Sequence, residues 1–316
     1  MGTYNAGERF SIVIPTWNNL DYLKLCVHAL RDHSSIEHEI LVHVNDGADG
    51  TLDWVRTNGI THTHSAKNEG ICLAVNTLVM RASADWIIYL NDDMVCCPGW
   101  DEALLTRIAA LGETPAYLSP TIIEPRETTN SLTVVHDFGA DPLSFDTAAL
   151  RAQCTGLRRM DIAGRASPVC VVRRDWWTAA GGYSLEFSPG MGSEDDLMMK
   201  FWVMGCRRFL TVGDSLIYHF ACKSTGRIRR NRGARTFVTK WGLTQGEFRR
   251  HFLERSAADG GDMLPIPSPT PIGRVKRALY GLTGNFPLGD IAAWDPFPGR
   301  PPEHLAHPDA AKGIQP

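Results

Sequence analysis

Apolar runs and amphipathic stretches alternate along the first ninety residues. Phe10 to Pro15 (FSIVIP) is a nearly continuous apolar run stopped by proline, the pattern of a strand buried on both faces. In the following NNLDYLKLCVHALRDHS, Leu20, Leu23, Val27 and Leu30 share one helical face. Glu39 to Val44 (EILVHV) reads as a second strand, Ile60 to Ser65 as a short third, and Trp86 to Leu90 (WIIYL) as a fourth. Between the last two, Ile71, Val75, Leu78 and Ala82 recur at helical spacing. This alternation predicts an α/β domain, with a mostly parallel central sheet and helices on both faces. Ligands of such sheets bind beyond the carboxyl ends of the strands. Three strands here end in polar clusters: Thr16-Trp17-Asn18, Asn45-Asp46-Gly47 and Asn91-Asp92-Asp93. The topology would gather all three along one edge.

The pattern weakens from Ala116 to Gly164, where no clear period predicts an element. Ser167 to Arg173 (SPVCVVR) reads as a strand, followed by a short helix from Arg174 and a Gly181-Gly182-Tyr183 turn. Leu197, Phe201 and Met204 mark a helix that ends at Gly205. Phe209 to Val212 and Leu216 to Tyr218 read as two short strands, the second stopping at His219. Beyond Ser256 the composition changes, with eleven of the 19 prolines. Pro265 to Pro271 should be extended, and Ile272 to Leu282 (IGRVKRALYGL) should form one basic amphipathic helix. The last twenty residues are expected to be poorly ordered. The expected division is a domain over 8–255 and a Pro-rich C-terminal extension over 256–316.

Composition narrows the function classes. The chain has 316 residues, 43% hydrophobic and 21% charged, an ordinary globular balance. A formal net charge of −3 gives no reason to expect a nucleic-acid partner. None of the eight cysteines is spaced as CxxC, and most lie in apolar runs, which suits reduced core thiols of a cytoplasmic protein. The N-terminus lacks a signal pattern, and no apolar stretch reaches the ~18 residues that cross a bilayer. The expected location is cytoplasmic, or peripheral on the inner membrane surface.

Several residues could carry chemistry. Asn91-Asp92-Asp93 places acidic groups at the end of a buried strand, where a divalent cation bridging to a diphosphate is one partner and a turn or helix cap is the alternative. Glu194-Asp195-Asp196 opens a helix just after Gly190 and Gly192. One acidic residue there would serve as a cap, but three exceed what capping requires. His219 becomes a metal-ligand candidate if Asp93 is one, and is otherwise a structural histidine. Asp46 fits either a turn or a contact to a ribose or nucleobase donor. Lys223, Arg227, Arg229, Arg230, Arg232 and Arg235 form a basic stretch that suits phosphates or a solvated face.

Taken in order, these pieces resemble the GT-A fold glycosyltransferases, especially family 2. FSIVIPTWNN is similar to that family's opening strand and turn, and EILVHVNDGADGT to its second strand and nucleotide-contacting turn. KNEGICLAVNTLVMRASADWIIYLNDDM is similar to its helix, strand and DxD-type metal motif. RRDWWTAAGGYSLEF with GSEDDLMMKFWVMG resembles the acceptor-side segment and the motif bearing the general base, YHFACKSTG the later histidine segment, and FVTKWG a closing piece. The resemblance runs from Phe10 to Gly242. It implies a Rossmann-like GT-A sheet and transfer from a nucleoside-diphosphate sugar, UDP-sugar by default, to a glycan or lipid-linked acceptor. Separately, the proline content of the tail and the basic helix Ile272 to Leu282 suggest either a covering strap or a peripheral membrane contact, through Arg274, Lys276 and Arg277. The resemblance also implies that Asp93 binds Mn²⁺ or Mg²⁺ with Asp92 beside it and His219 as a further ligand. Asp46 would contact the nucleoside, and Thr16 and Asn68 would lie near the nucleotide. Asp195 would be the general base of an inverting displacement, with Glu194 positioning the acceptor. The chain departs from the pattern at Asn91, where the motif has an acid, and in a shorter turn after the second strand. A nucleotidyltransferase and a non-catalytic sugar- or nucleotide-binding module are the rival readings. The former should carry a glycine-rich basic loop after the first strand, where this chain has Thr16-Trp17-Asn18-Asn19.

Overall fold

A computed structural model of the chain describes residues 9–128, 130–221, 232–258 and 269–283. The early apolar runs are β1 (Phe10–Trp17), β2 (Glu39–Asn45), β3 (Thr61–Ser65) and β4 (Trp86–Tyr89), which pair in parallel in the order β3-β2-β1-β4. Between them run α1 (Leu20–His33), α2 (Thr51–Thr57) and α3 (Gly70–Val79). Alternation along β1 decides which helix covers which face. Ile12 and Ile14 pack with Leu23, Val27 and Leu30 of α1, whereas Val13 packs with Cys72, Val75 and Leu78 of α3. Both faces are thus buried, as the continuous apolar runs predict.

The second half of the sheet is mixed. Its elements are β5 (Met94–Cys96), α4 (Trp100–Leu111), β6 (Ala116–Glu124), β7 (Thr133–Val135), α5 (Thr147–Gln153), β8 (Ile162–Ala163), β9 (Val171–Arg173), α6 (Arg174–Ala179), α7 (Ser193–Val203) and β10 (Arg208–His219). From β4 the order continues β9-β6-β10-β5. β9 is antiparallel to β4 and β6, and β10 is parallel to β6 but antiparallel to β5. Three differences from the sequence reading stand out. β6 is a nine-residue strand in the stretch without a clear period. The strand expected over 167–173 is confined to Val171–Arg173. The two expected short strands are one strand, β10, with a register shift between Val212 and Leu216. The first and last share a cause. Pro120 of β6 pairs with Val212 and brings no N–H. β10 therefore bulges there, and Gly213 bonds instead to Arg159 (3.1 Å) and the Asp161 carboxylate (2.9 Å).

The C-terminal part consists of α8 (Gly233–Trp241), α9 (Gln245–Phe248), a π-helical turn (Arg249–Glu254), α10 (Arg255–Ala258) and α11 (Pro271–Thr283). The helix run thus crosses the expected boundary at 255/256, and α11 matches the predicted basic helix. It is fastened to α8: Arg235 donates to the Tyr280 carbonyl and lies 4.9 Å over the Tyr280 ring. Gly273 sits so close to Gly242 that a Cβ there would lie 1.7 Å from its carbonyl oxygen. Cys26, Cys72, Cys96, Cys97, Cys154, Cys170 and Cys206 are buried free thiols, as expected. No helix among the described residues is long and apolar enough to cross a membrane. Lys223, Arg227, Arg229, Arg230, most of the Pro265–Pro271 stretch and the last twenty residues lie outside the described residues.

Candidate active site

The polar clusters meet at the carboxyl edge of the parallel strands. Asn18 follows β1 with φ +47° and donates to the Asp46 carboxylate at 2.9 Å, while its own side-chain oxygen accepts from Gly47 N–H at 2.9 Å. Asp46 is itself left-handed, with φ +65°. One residue on, Asn19 donates to Asp92 at 3.0 Å. The β1 turn therefore ties the second cluster to the third. Thr16 ends the buried part of β1, and its Oγ1 has no hydrogen-bond partner among the described residues. A buried hydroxyl without a partner is costly unless a ligand supplies one. Asn45 accepts from Glu69 N–H at 2.8 Å, and Asn68 accepts from Gly70 N–H at 2.9 Å. Thr16, Asp46, Asn68 and Asp92 are thus all built into the turns along this edge.

Asp93 and His219 come together because β5 and β10 are antiparallel, with Met94 opposite His219. Asp93 is 4% exposed and its Oδ1 lies 3.5 Å from His219 Nε2. Tyr218 pairs with Ile123 in the parallel β6–β10 ladder, so Glu124 falls beside His219 and its Oε1 lies 2.8 Å from Nδ1. Burial pulls the His219 pKa down, but the Asp93 and Glu124 carboxylates outweigh it and push it up to about 9. Nδ1 is held by the Glu124 carboxylate, as the outer nitrogen of a metal-ligating histidine is, while Nε2 faces Asp93 and would have to give up its proton before it could take a metal. Among the described residues, no cluster of three or more His, Cys, Asp or Glu side chains is placed to hold a metal by itself. The Asp93 and His219 donor types suit Mn²⁺ or Mg²⁺ only in company with other oxygens, such as those of a diphosphate.

The acidic triplet separates into three environments. Asp196 is fully buried and structural: it meets Lys240 Nζ at 2.8 Å, Trp241 Nε1 at 2.8 Å and Ser184 Oγ at 2.6 Å. Asp195 receives both arms of Arg249, at 2.8 and 2.6 Å, and the Gln245 amide at 2.5 Å. Its oxygens are thus engaged by charge-assisted hydrogen bonds. Glu194 differs. Burial pushes its pKa up to about 7, reinforced by Asp195 and opposed by the Ser193 hydroxyl and Arg249. The charges of Glu194, Asp93 and Asp92 all act on the buried Tyr89 phenol, which donates to Asn91 at 2.5 Å. Both the acidic helix start and the Asp93 cluster are thus near enough to Tyr89 for their charges to act on it. Glu124, Gln245, Arg249 and Tyr89 were not among the sequence candidates. Only Glu124 carried a signal, as the acid that ends an apolar run.

The two sides of the site are joined through α3, where Asn76 exchanges hydrogen bonds with the Tyr183 backbone (2.8 and 2.9 Å) and the first turn meets Pro189. Gly70 begins α3 with φ +81°, and a Cβ there would lie 2.8 Å from Pro189 Cα. Ile71 N–H donates to the Pro189 carbonyl at 2.9 Å, just ahead of the Gly190–Gly192 approach to Glu194.

Residues 11–165 match the model of the family described as Glycosyl transferase family 2. No curated protein matches in sequence. Among solved structures, S. aureus TarS 1-349 superimposes with a TM-score of 0.53 at 14% identity, over 85% of this chain and 78% of that one. The same protein in complex with UDP-GlcNAc gives 0.52 at 13% identity, over 79% and 73%. GalNAc-T7 with UDP, GalNAc and Mn²⁺ gives 0.53 at 16% identity, over 86% of this chain and 54% of that one. Identities this low establish a shared fold, and that fold is GT-A.

Proposed function

Taking as premise that the chain is a family 2-like glycosyltransferase of the GT-A fold, we propose that it is a metal-dependent, inverting enzyme that moves a sugar from a nucleoside diphosphate to an acceptor hydroxyl. The observation that supports this is the Asp93–His219 pair at the end of the sheet, with Glu194 near enough that its charge, like those of Asp92 and Asp93, acts on the Tyr89 phenol. The donor class is taken from the UDP- and UDP-GlcNAc-bound neighbours, and the acceptor class is a glycan or a lipid-linked sugar. Residues 8–255 carry the reaction and 256–316 form an extension.

Thr16, Asp46, Asn68 and Asp92 line the nucleotide side, with Thr16 Oγ1 awaiting a polar partner. Asp93 and His219 would hold the cation, and Glu124 would keep the His219 ring in place. Mn²⁺ or Mg²⁺ bound there supplies positive charge against the departing diphosphate. Glu194 is the general base in preference to Asp195. A group that ionises near 7 is about half charged at neutral pH and well matched to taking a proton there, whereas the Asp195 oxygens are engaged by Arg249 and Gln245. In the step, the acceptor O–H gives its proton to Glu194 as its oxygen bonds to the anomeric carbon. The bond from that carbon to the phosphate oxygen breaks on the opposite face, and the nucleoside diphosphate leaves with the electron pair. One displacement inverts the anomeric centre.

The test is a donor screen with purified protein, with Mn²⁺ and with chelator, following nucleoside diphosphate release and product configuration. Release that requires metal and gives inverted product is expected. Pyrophosphate as product would indicate nucleotidyl transfer, and retained configuration would reject the single displacement.

A further inference from the structure

Helix α11 presents an apolar stripe to the outside. Ile272, Val275, Leu279 and Leu282 are 58%, 61%, 53% and 84% exposed. At 3.6 residues per turn these four positions fall within an arc of about 80°. The opposite side of the same helix faces the body of the protein: Gly273 abuts Gly242, and Tyr280 is engaged by Arg235. Among the described residues, the stripe therefore points away from the fold that holds the helix. Amphipathic helices of globular proteins turn their apolar face inward, and this one does the reverse.

The charges around the stripe are of one sign. Arg274 and Lys276 flank it on its two sides, Arg277 adds a third cation, and Pro271–Thr283 contains no acidic residue. The helix is also fixed in orientation. Thr270 N–H bonds to the Gly242 carbonyl at 3.2 Å, Gly273 N–H bonds to Thr270 Oγ1 at 2.8 Å, and Lys276 acts on Glu247. Through α8 this anchor reaches Lys240 and Trp241, the partners of Asp196.

We propose that α11 docks the protein on an anionic lipid surface, lying in the plane of the interface with Ile272, Val275, Leu279 and Leu282 immersed and Arg274 and Lys276 at the headgroups. An outward apolar stripe with cationic flanks is the pattern of such helices, and the charge complementarity selects anionic lipid over a neutral surface. Docking in this pose would set the acceptor side of the site at a fixed distance from the bilayer. The inference concerns binding alone and stands whether or not glycosyl transfer is demonstrated.

The test is sedimentation of the full-length protein with phosphatidylcholine vesicles, with and without phosphatidylglycerol. Two flanking cations at about 1 kcal/mol each predict a preference of roughly thirtyfold for the anionic vesicles. The double variant V275E/L279E should lose binding by more than about tenfold, because two exposed contacts become repulsive. Met80, 88% exposed elsewhere, provides the control, and M80E should bind as the parent does. Equal binding by V275E/L279E and the parent overturns the proposal. So does a dimer in solution that V275E/L279E dissociates, which would make a second copy the occupant. Binding that emerges only after removal of residues 284–316 would mean that the chain covers its own stripe, and overturns it too.

Discussion

Replacing Glu194 by glutamine separates a catalytic carboxylate from a structural one, because the two roles predict opposite changes in stability. Burial pushes this group from 4.5 to about 7, which corresponds to roughly 3 kcal/mol against its charged form. Glu194 keeps some solvent contact, so this is an upper limit. A carboxyl with a raised folded-state pKa contributes stability that is fully present below its unfolded value of 4.5 and lost as pH rises through about 7. The glutamine carries no charge at any pH. E194Q should therefore melt a few degrees above the parent at pH 8, and the difference should vanish below about pH 4.5. Activity should move the other way. Loss of the proton acceptor should lower kcat by ~10² to 10⁴, with nucleoside diphosphate affinity almost unchanged. In the parent, kcat/KM should fall about tenfold per pH unit below 7, and what activity E194Q retains should lack that limb. Thermal melts across pH, a pH–rate profile and a UDP titration make the measurement. A variant that is destabilised at pH 8, or that turns over with the parent's acid limb intact, refutes the reasoning.

Asp195→Asn should cost about 1–3 kcal/mol in urea unfolding through its weakened contacts to Arg249 and Gln245, with a smaller loss of kcat than E194Q. A dead but fully stable variant would return the base role to Asp195. Glu124→Gln should weaken Mn²⁺ binding by roughly 10–100-fold in calorimetry with UDP present, since Glu124 holds the His219 ring. An unchanged affinity would leave Glu124 a bystander. Lys240→Met should destabilise by about 3–5 kcal/mol, because Asp196 is fully buried against it. A loss below ~1 kcal/mol in chemical denaturation would show that Lys200, 3.6 Å away, suffices.

Legibility followed burial. The half from β1 to β4 could be read because parallel strands covered on both faces leave continuous apolar runs. The shared edge of Asp46, Asp92 and Asp93 could be read because strand ends of such a sheet converge there. The second half was obscured by particular residues. Pro120 inside β6 looks like a strand breaker until the bulge in β10 is seen opposite it, and α4 has no counterpart among the predicted elements. The acidic triplet was visible as a cluster, but its division of labour was not. Residue type cannot distinguish Glu194, Asp195 and Asp196, because the partners that do so, Arg249, Gln245, Lys240 and Trp241, come from helices 44 or more positions away.

The contact between Gly70 and Pro189 bears on selectivity. Where two halves of a cleft hinge freely, a wrong substrate can be accommodated by opening the jaw. Here backbone meets backbone with no side chain between them, and the Ile71–Pro189 hydrogen bond spans the joint. On the proposed reading, this joint sets the spacing between the nucleotide side and the base side. A methyl at position 70 would meet Pro189 Cα at 2.8 Å, so the start of α3 and the Pro189 turn would have to move apart, and the expected result is a changed range of accepted acceptors.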